Sequence, residues 1–330
     1  DKLSKSLNGK RRLTSFELAL IAQLTGQTVD WLLAGTALET PSVAARVSVS
    51  AGVDSRSALD FCERMRAADD QLQRLGRTRP LPVPPSLKSA DRMAKWAVEE
   101  FENRNLSVAG LDNAALVDAV EDVFGVDVAV TRDLPSGMDG CAWQTSSTRL
   151  MVARATPYWA RQRFTIAHEL GHVLFGDAHD LIAEEVRSQD EALEETRASR
   201  FAAAFLMPET MVTGELGEGA TRTSFSALAT KLSVSPAALA WRALNLRLIT
   251  RREQSEWGAL TAEQAALDAG ESQFVGAARA VSEAERLPMR LVAEHVQALW
   301  EGETTARPLA QLLGLSLDEV ADLFPPRGRD

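Results

Sequence analysis

The sequence predicts an α+β fold, mostly helical, with one small β-sheet. Three observations carry that expectation. Segments 157–176 and 189–207 repeat apolar residues at helical spacing, only 126–131, 141–145 and 149–153 read as short strands, and helix-turn-helix-like stretches flank this central part. The 330-residue chain can hold two or three domains with sizeable cores, and its 45% hydrophobic and 25% charged residues are ordinary for a globular protein. The expected divisions are 1–38, a connector with a proline-rich linker at 39–86, a central domain at 87–250 and a helical domain at 251–330.

Residues 1–38 carry five basic against three acidic residues, a net +2 within a chain of −10. Residues 3–9, 15–24 and 29–33 read as helical pieces, the last closing at Gly35. Residues 55–75 then form an amphipathic helix with Leu59, Cys62, Met65, Leu72 and Leu75 at apolar positions, suited to a connector or a homodimer contact. The stretch R-T-R-P-L-P-V-P-P-S at 77–86, four prolines in ten residues, reads as a semi-rigid spacer and the clearest boundary. Helices at 90–103 and 113–124 precede the three strands. Of these, 149–153 is the expected edge, on which an extended peptide could pair through its backbone.

The next helix carries the chemistry. Thr156 and Pro157 supply an N-cap oxygen and a first-turn proline, and Gly176-Asp177 ends the pattern. Trp159, Phe164, Ile166, Ala167, Leu170, Val173 and Leu174 form its apolar side, with Arg161 and Arg163 on more polar early turns, so the helix is expected to be half buried. Within it stands His168-Glu169-Leu170-Gly171-His172, an H-E-x-x-H pattern in a chain with four histidines. Histidines four apart lie on one helix face, where both imidazoles can reach one metal ion. Glu169 is displaced by about 100° and can reach a water at that metal without taking a coordination position. It is the candidate general base.

A catalytic zinc needs a third protein ligand and an open position. His179 is badly spaced, because H-E-x-x-H-x-x-G-x-x-H asks for Gly at 175 and His at 178, where this chain has Phe175 and Ala178. The segment 189–207 is the better source. Its inner face is Ala198, Phe201, Ala202 and Phe205, with Glu191, Glu194 and Glu195 upstream. Glu194 and Glu195 flank that stripe almost symmetrically, and periodicity leaves both open.

The two blocks R-F-T-I-A-H-E-L-G-H (163–172) and E-T-R-A-S-R-F-A-A-A-F-L-M-P-E (195–209) resemble the ImmA/IrrE family of zinc metallo-endopeptidases, over roughly residues 105–248. The resemblance implies a zincin-like domain in which Glu195, the first Glu of an E-x-x-A-x-x-F-A block, completes the site with His168 and His172. Ser199 departs from the Asn or Asp that relatives often place there, a position that supports a ligand and does not bind metal. Zn²⁺ is the implied cofactor, and Mn²⁺ also suits two histidines and a carboxylate. Glu169 would accept the proton of the attacking water, with Tyr158 and His179 as the candidates for an oxyanion donor or a supporting contact.

Residues 3–35 are similar to the later half of lambda-repressor-like (XRE) helix-turn-helix domains. That likeness implies DNA-facing roles for Ser4, Lys5, Ser6, Asn8 and Lys10, although about two helices that a complete domain would carry before Leu3 are absent from this chain. Segments 228–244 and 309–324 resemble one another as helix-corner patterns, with Ser235 and Ser316 at the expected caps. Lacking a dense basic face, they suit protein packing or substrate docking.

Composition narrows the setting. A net charge of −10 argues against general nucleic-acid affinity, and no apolar run approaches the ~20 residues of a membrane span. Cys62 and Cys141 form no C-x-x-C and read as buried thiols of a reducing, cytoplasmic compartment. The family likeness implies cleavage of a helix-turn-helix repressor that switches on a stress-response or mobile-element programme. The alternative is a DNA-binding regulator whose metal domain senses a ligand or partner without proteolysis. Glu169 separates the two, since a sensor needs the metal ligands but no base.

Overall fold

A computed structural model describes residues 42–47, 56–135, 137–145, 148–177, 189–217 and 219–325. Its elements in chain order are β1 (Ser42–Val47), α1 (Arg56–Arg74), α2 (Ala90–Glu102), α3 (Asn113–Phe124), β2 (Asp127–Thr131), β3 (Met138–Gln144), β4 (Arg149–Arg154), α4 (Trp159–Phe175), α5 (Gln189–Leu206), α6 (Glu209–Leu216), α7 (Arg222–Leu232), α8 (Pro236–Asn245), α9 (Arg251–Gly258), α10 (Ala262–Asp268), α11 (Ser272–Glu283), α12 (Met289–Trp300), α13 (Ala306–Leu313) and α14 (Leu317–Leu323). The fold is α+β and mostly helical, as the sequence predicts. Ser42–Asp330 make one compact unit. The expected module at 1–38, with Ser4, Lys5, Ser6, Asn8 and Lys10, lies outside the described residues, as does His179.

The sheet has the order β1-β3-β4-β2, with β1/β3 and β3/β4 antiparallel and β2/β4 parallel. This order corrects the expected substrate edge. Residues 149–153 belong to β4, an interior strand bonded on both sides. The strand itself carried the sign: Leu150, Met151, Val152 and Ala153 form an unbroken buried run, the mark of a strand covered on both faces rather than of an exposed edge.

Alternation along the strands sorts their side chains into two cores. Val128, Ala142, Met151 and Ala153 face α4, joining Ile166, Ala167 and Leu170 in the larger core that also takes in α2, α3 and α5–α10. Ala129, Cys141, Trp143, Leu150 and Val152 face the other way, onto Phe61, Cys62, Met65 and Leu72 of α1. The sheet is therefore a middle layer. The apolar face of α1, expected as a connector or dimer contact, is used up inside the molecule.

The proline-rich segment is pinned across this layer instead of hanging between bodies. Arg77 pairs with Glu294 at 2.9 Å and Glu303 at 2.8 Å, and also with Glu301. Arg79 donates to Gly125 O at 2.7 Å, and Arg149 donates to Pro82 O at 2.7 Å. Gly125 must be glycine twice over: its φ is +64° and a Cβ would lie 2.9 Å from Pro82 Cδ.

Helix starts follow local capping chemistry. Asp112, Ser235 and Ser316 each accept a hydrogen bond from the amide three residues on, and Ser316 completes a capping box with Glu319. The helix that carries His168 and His172 departs from expectation in two ways. It starts at Trp159, so Thr156 and Pro157 lie ahead of it, and Thr156 Oγ1 accepts from Tyr158 N at 3.4 Å. It is also buried nearly throughout, because the sheet, α3, α5 and α11 all contact it. Arg163 sits wholly inside, donating to Val108 O at 2.7 Å and Leu111 O at 2.9 Å, while its burial lowers the guanidinium pKa to about 10.

Candidate metal centre

The helical period places His168 and His172 on one face of α4, and the partner helix α5 brings a carboxylate to them. His168 Nε2 and His172 Nε2 are 3.1 Å apart, with Glu195 Oε2 at 3.4 Å from the first and Glu195 Oε1 at 3.6 Å from the second. A tetrahedral metal bound at about 2.0–2.1 Å separates its ligand atoms by about 3.4 Å, so this donor set fits one zinc ion. Among the described residues, His168, His172 and Glu195 are the group able to hold a metal. Glu194, which periodicity left open beside Glu195, is not part of it.

Two glycines create the room. A Cβ on Gly171 would come to 3.0 Å from Phe201 Cδ1 and 3.3 Å from Ala198 Cα, so the glycine inside the motif lets α4 and α5 approach closely enough for Glu195 to reach. On the sheet side, a Cβ on Gly140 would lie 2.5 Å from Thr165 Cγ2 and 3.4 Å from Glu169 Cγ. Strand β3 thus runs directly past Glu169. Glu169 is itself buried beside the two histidines.

Each histidine is oriented through its other nitrogen. His172 Nδ1 and Asp177 Oδ1 are 2.9 Å apart, and Asp177 also pairs with Arg197, whose guanidinium carbon lies 4.5 Å over the Phe175 ring. Ser199 Oγ lies 3.3 Å from His168 Nδ1, within hydrogen-bond reach. Such contacts fix the ring orientation and raise ligand basicity. Sequence pattern singles out neither Asp177 nor Gly140. The signal for Asp177 was the αL cap Gly176, with φ +70°, which turns the chain back so that residue 177 meets the preceding helical turn.

The electrostatics suit a dication. Burial works to lower the His172 pKa, but hydrogen bonds to Asp177 and Glu195 overcome it and push the value up to about 10. Burial works to raise Glu195, yet hydrogen bonds and charge from His168 and His172 hold its carboxyl well below the usual range. Neighbours that favour a proton on His172 also favour a metal charge in its place. The centre opens on one side: the two histidine side chains are 1% and 3% exposed and Glu195 is 26% exposed.

Tyr158 does not reach the centre. It is 61% exposed, and ten residues before His168 it lies about 15 Å away along the helix axis, so neither an oxyanion contact nor core packing fits it.

Residues 124–244, from the end of α3 to α8 and including both histidines and Glu195, match the family model described as Peptidase_M78: IrrE N-terminal-like domain. This segment is similar to an IrrE N-terminal-like domain. The match agrees with the likeness to ImmA/IrrE metallopeptidases, and the donor set built by α4 and α5 lies within it. The comparison with curated proteins gave no match.

Proposed function

We propose that this chain is a zinc-dependent endopeptidase making site-specific cuts in a protein substrate, a helix-turn-helix transcriptional repressor, and thereby inducing a stress-response or mobile-element programme. The observation that carries the reading is the pairing of a three-donor centre with a buried carboxylate that is not one of the donors. His168, His172 and Glu195 would hold the zinc, which when bound would supply Lewis acidity for a peptide carbonyl and bring the pKa of water toward ~7. Mn²⁺ fits the same oxygen and nitrogen donors.

The remaining steps belong to the chain. Glu169 accepts the proton of the attacking water and returns it to the departing amine. Asp177 and Ser199 hold the two imidazoles in place, so that little reorganisation is needed as charge develops. The layers around α4 exclude bulk water from Glu169, which strengthens these interactions. The exposed side of Glu195 gives the substrate its approach. Glu169 also favours an enzyme over a metal-bearing sensor, which would have no use for a base at that position.

No helix among the described residues is long and apolar enough to cross a membrane. The proposal places the enzyme in the cytoplasm, where a repressor substrate is found, with the 1–38 module providing a DNA contact. Incubating the zinc- or manganese-loaded protein with candidate repressors, beside Glu169→Gln, tests the reading by mass spectrometry. The expected result is metal-dependent scission at one site by the unaltered protein alone. Operator binding through Lys5, Asn8 and Lys10 with no scission under either metal would replace the enzyme by the regulator.

A further inference from the structure

β1 occupies the edge of the strand that passes the catalytic carboxylate. Strand β3 carries Gly140 against Glu169, and Asp139 of the same strand is tied to Arg161 of α4 at 2.6 Å. The outer side of β3 is paired antiparallel with Ser42–Val47: Val43 with Trp143, Ala44 with Ala142, Ala45 with Cys141 and Val47 with Met138. Between the last two pairs β3 has one residue more than β1, so Asp139 and Gly140 stand opposite Arg46 alone. The ladder is irregular where β3 lies beside Glu169, a place where bulges re-aim the backbone toward active sites.

Two further observations mark β1 as exchangeable. Among the described residues its substantial contact is with β3, whereas β2, at the other end of the sheet, is secured by an antiparallel bridge from Val130 to Arg286 and by α3 and α12. An outer strand held chiefly by a backbone ladder uses bonds that any extended segment can make. The sequence S-V-A-A-R-V contains no proline and offers a small residue at every position but the two valines and Arg46, which makes it resemble a generic extended substrate.

We propose that the outer edge of β3 is the substrate-strand site and that Ser42–Val47 is an intramolecular pseudosubstrate occupying it. An extended protein segment gains access by replacing β1 and pairing antiparallel with β3, which brings its backbone past Gly140 toward Glu169 and the metal. The inference rests on the peptidase reading for the fate of the bound segment, but the exchange itself needs no catalysis.

The test is therefore a binding experiment on the full chain, in the unaltered and Glu169→Gln backgrounds. The probe is a fluorescein-labelled, end-blocked Ser-Val-Ala-Ala-Arg-Val peptide, followed by anisotropy. Ala44→Pro removes a ladder donor, and a second variant replaces residues 42–47 by alternating Gly and Ser. A tethered strand competes at millimolar effective concentration, so both variants should bind the peptide at least ~10-fold more tightly than the unaltered chain. Hydrogen exchange should show β3 amides less protected in both variants and protected again on adding peptide. Equal peptide affinity in all three chains, or β3 protection unchanged with 42–47 replaced, overturns the proposal. Peptide binding that follows the prediction supports the exchange whether or not the peptide is cut, while the peptidase reading stands or falls separately on scission of candidate repressors.

Discussion

In the proposed mechanism Glu169 and the side chains behind the two histidines divide the work of the centre, and substitution can separate their contributions. Glu169 lies beside the ligand face without being one of the three grouped donors. Glu169→Gln should thus keep the fold and the full zinc content while cleavage falls by at least ~100-fold, the usual worth of positioned proton transfer. Cleavage at the unaltered rate by zinc-replete Glu169→Gln would remove the proposed base. Asp177→Ala acts through His172 instead. Losing the Nδ1 partner at 2.9 Å should weaken zinc binding by about 10- to 100-fold, read by competition with a chromophoric chelator, and leave secondary structure intact. Tyr158→Phe, at an exposed site remote from the ligands, should change neither quantity.

At the scale of elements, what local period determines was legible and what pairing order determines was not. His168, Glu169 and His172 follow from spacing on one helix. Glu194 and Glu195 stayed tied, because both flank the apolar stripe and only the crossing at Gly171 and Ala198 decides which carboxylate arrives. Strands β2 and β4 were found nearly to their ends. That β4 is interior depends on its pairing with β3 on one side and β2 on the other, which alternation within a single strand does not report. The apolar face of α1 was visible, but its partner was not. Since that face covers the sheet, Leu72→Ala should cost about 2–5 kcal/mol in denaturant unfolding, whereas a free connector would show almost no change. Between α3 and β2, Glu121 accepts from Val128 N at 2.9 Å and pairs with Arg286, and burial raises its pKa to about 7. Its folded value exceeds its unfolded one near 4.5, so its contribution is fully present below about pH 4.5 and is lost as pH rises toward 7. Relative to Glu121→Gln, the unaltered protein should lose thermal stability across that window. A melting-temperature difference that stays flat or grows with pH would contradict the assignment.

For the whole molecule, a metal held by His168, His172 and Glu195 would couple the two helices to the layered core. Zinc that binds only the folded state at 100 times its dissociation constant adds about 2.7 kcal/mol, so chelation should lower the melting temperature by several degrees. Glu169→Gln should show the same drop, because it removes no ligand. The central claim is that one metal sits between α4 and α5, held by His168, His172 and Glu195. The most direct measurement is zinc content and affinity of the unaltered chain, Glu194→Ala and Glu195→Ala. One zinc per chain should be retained by the first two and lost by Glu195→Ala. Tight, stoichiometric zinc in Glu195→Ala, with loss in Glu194→Ala, would contradict the centre described.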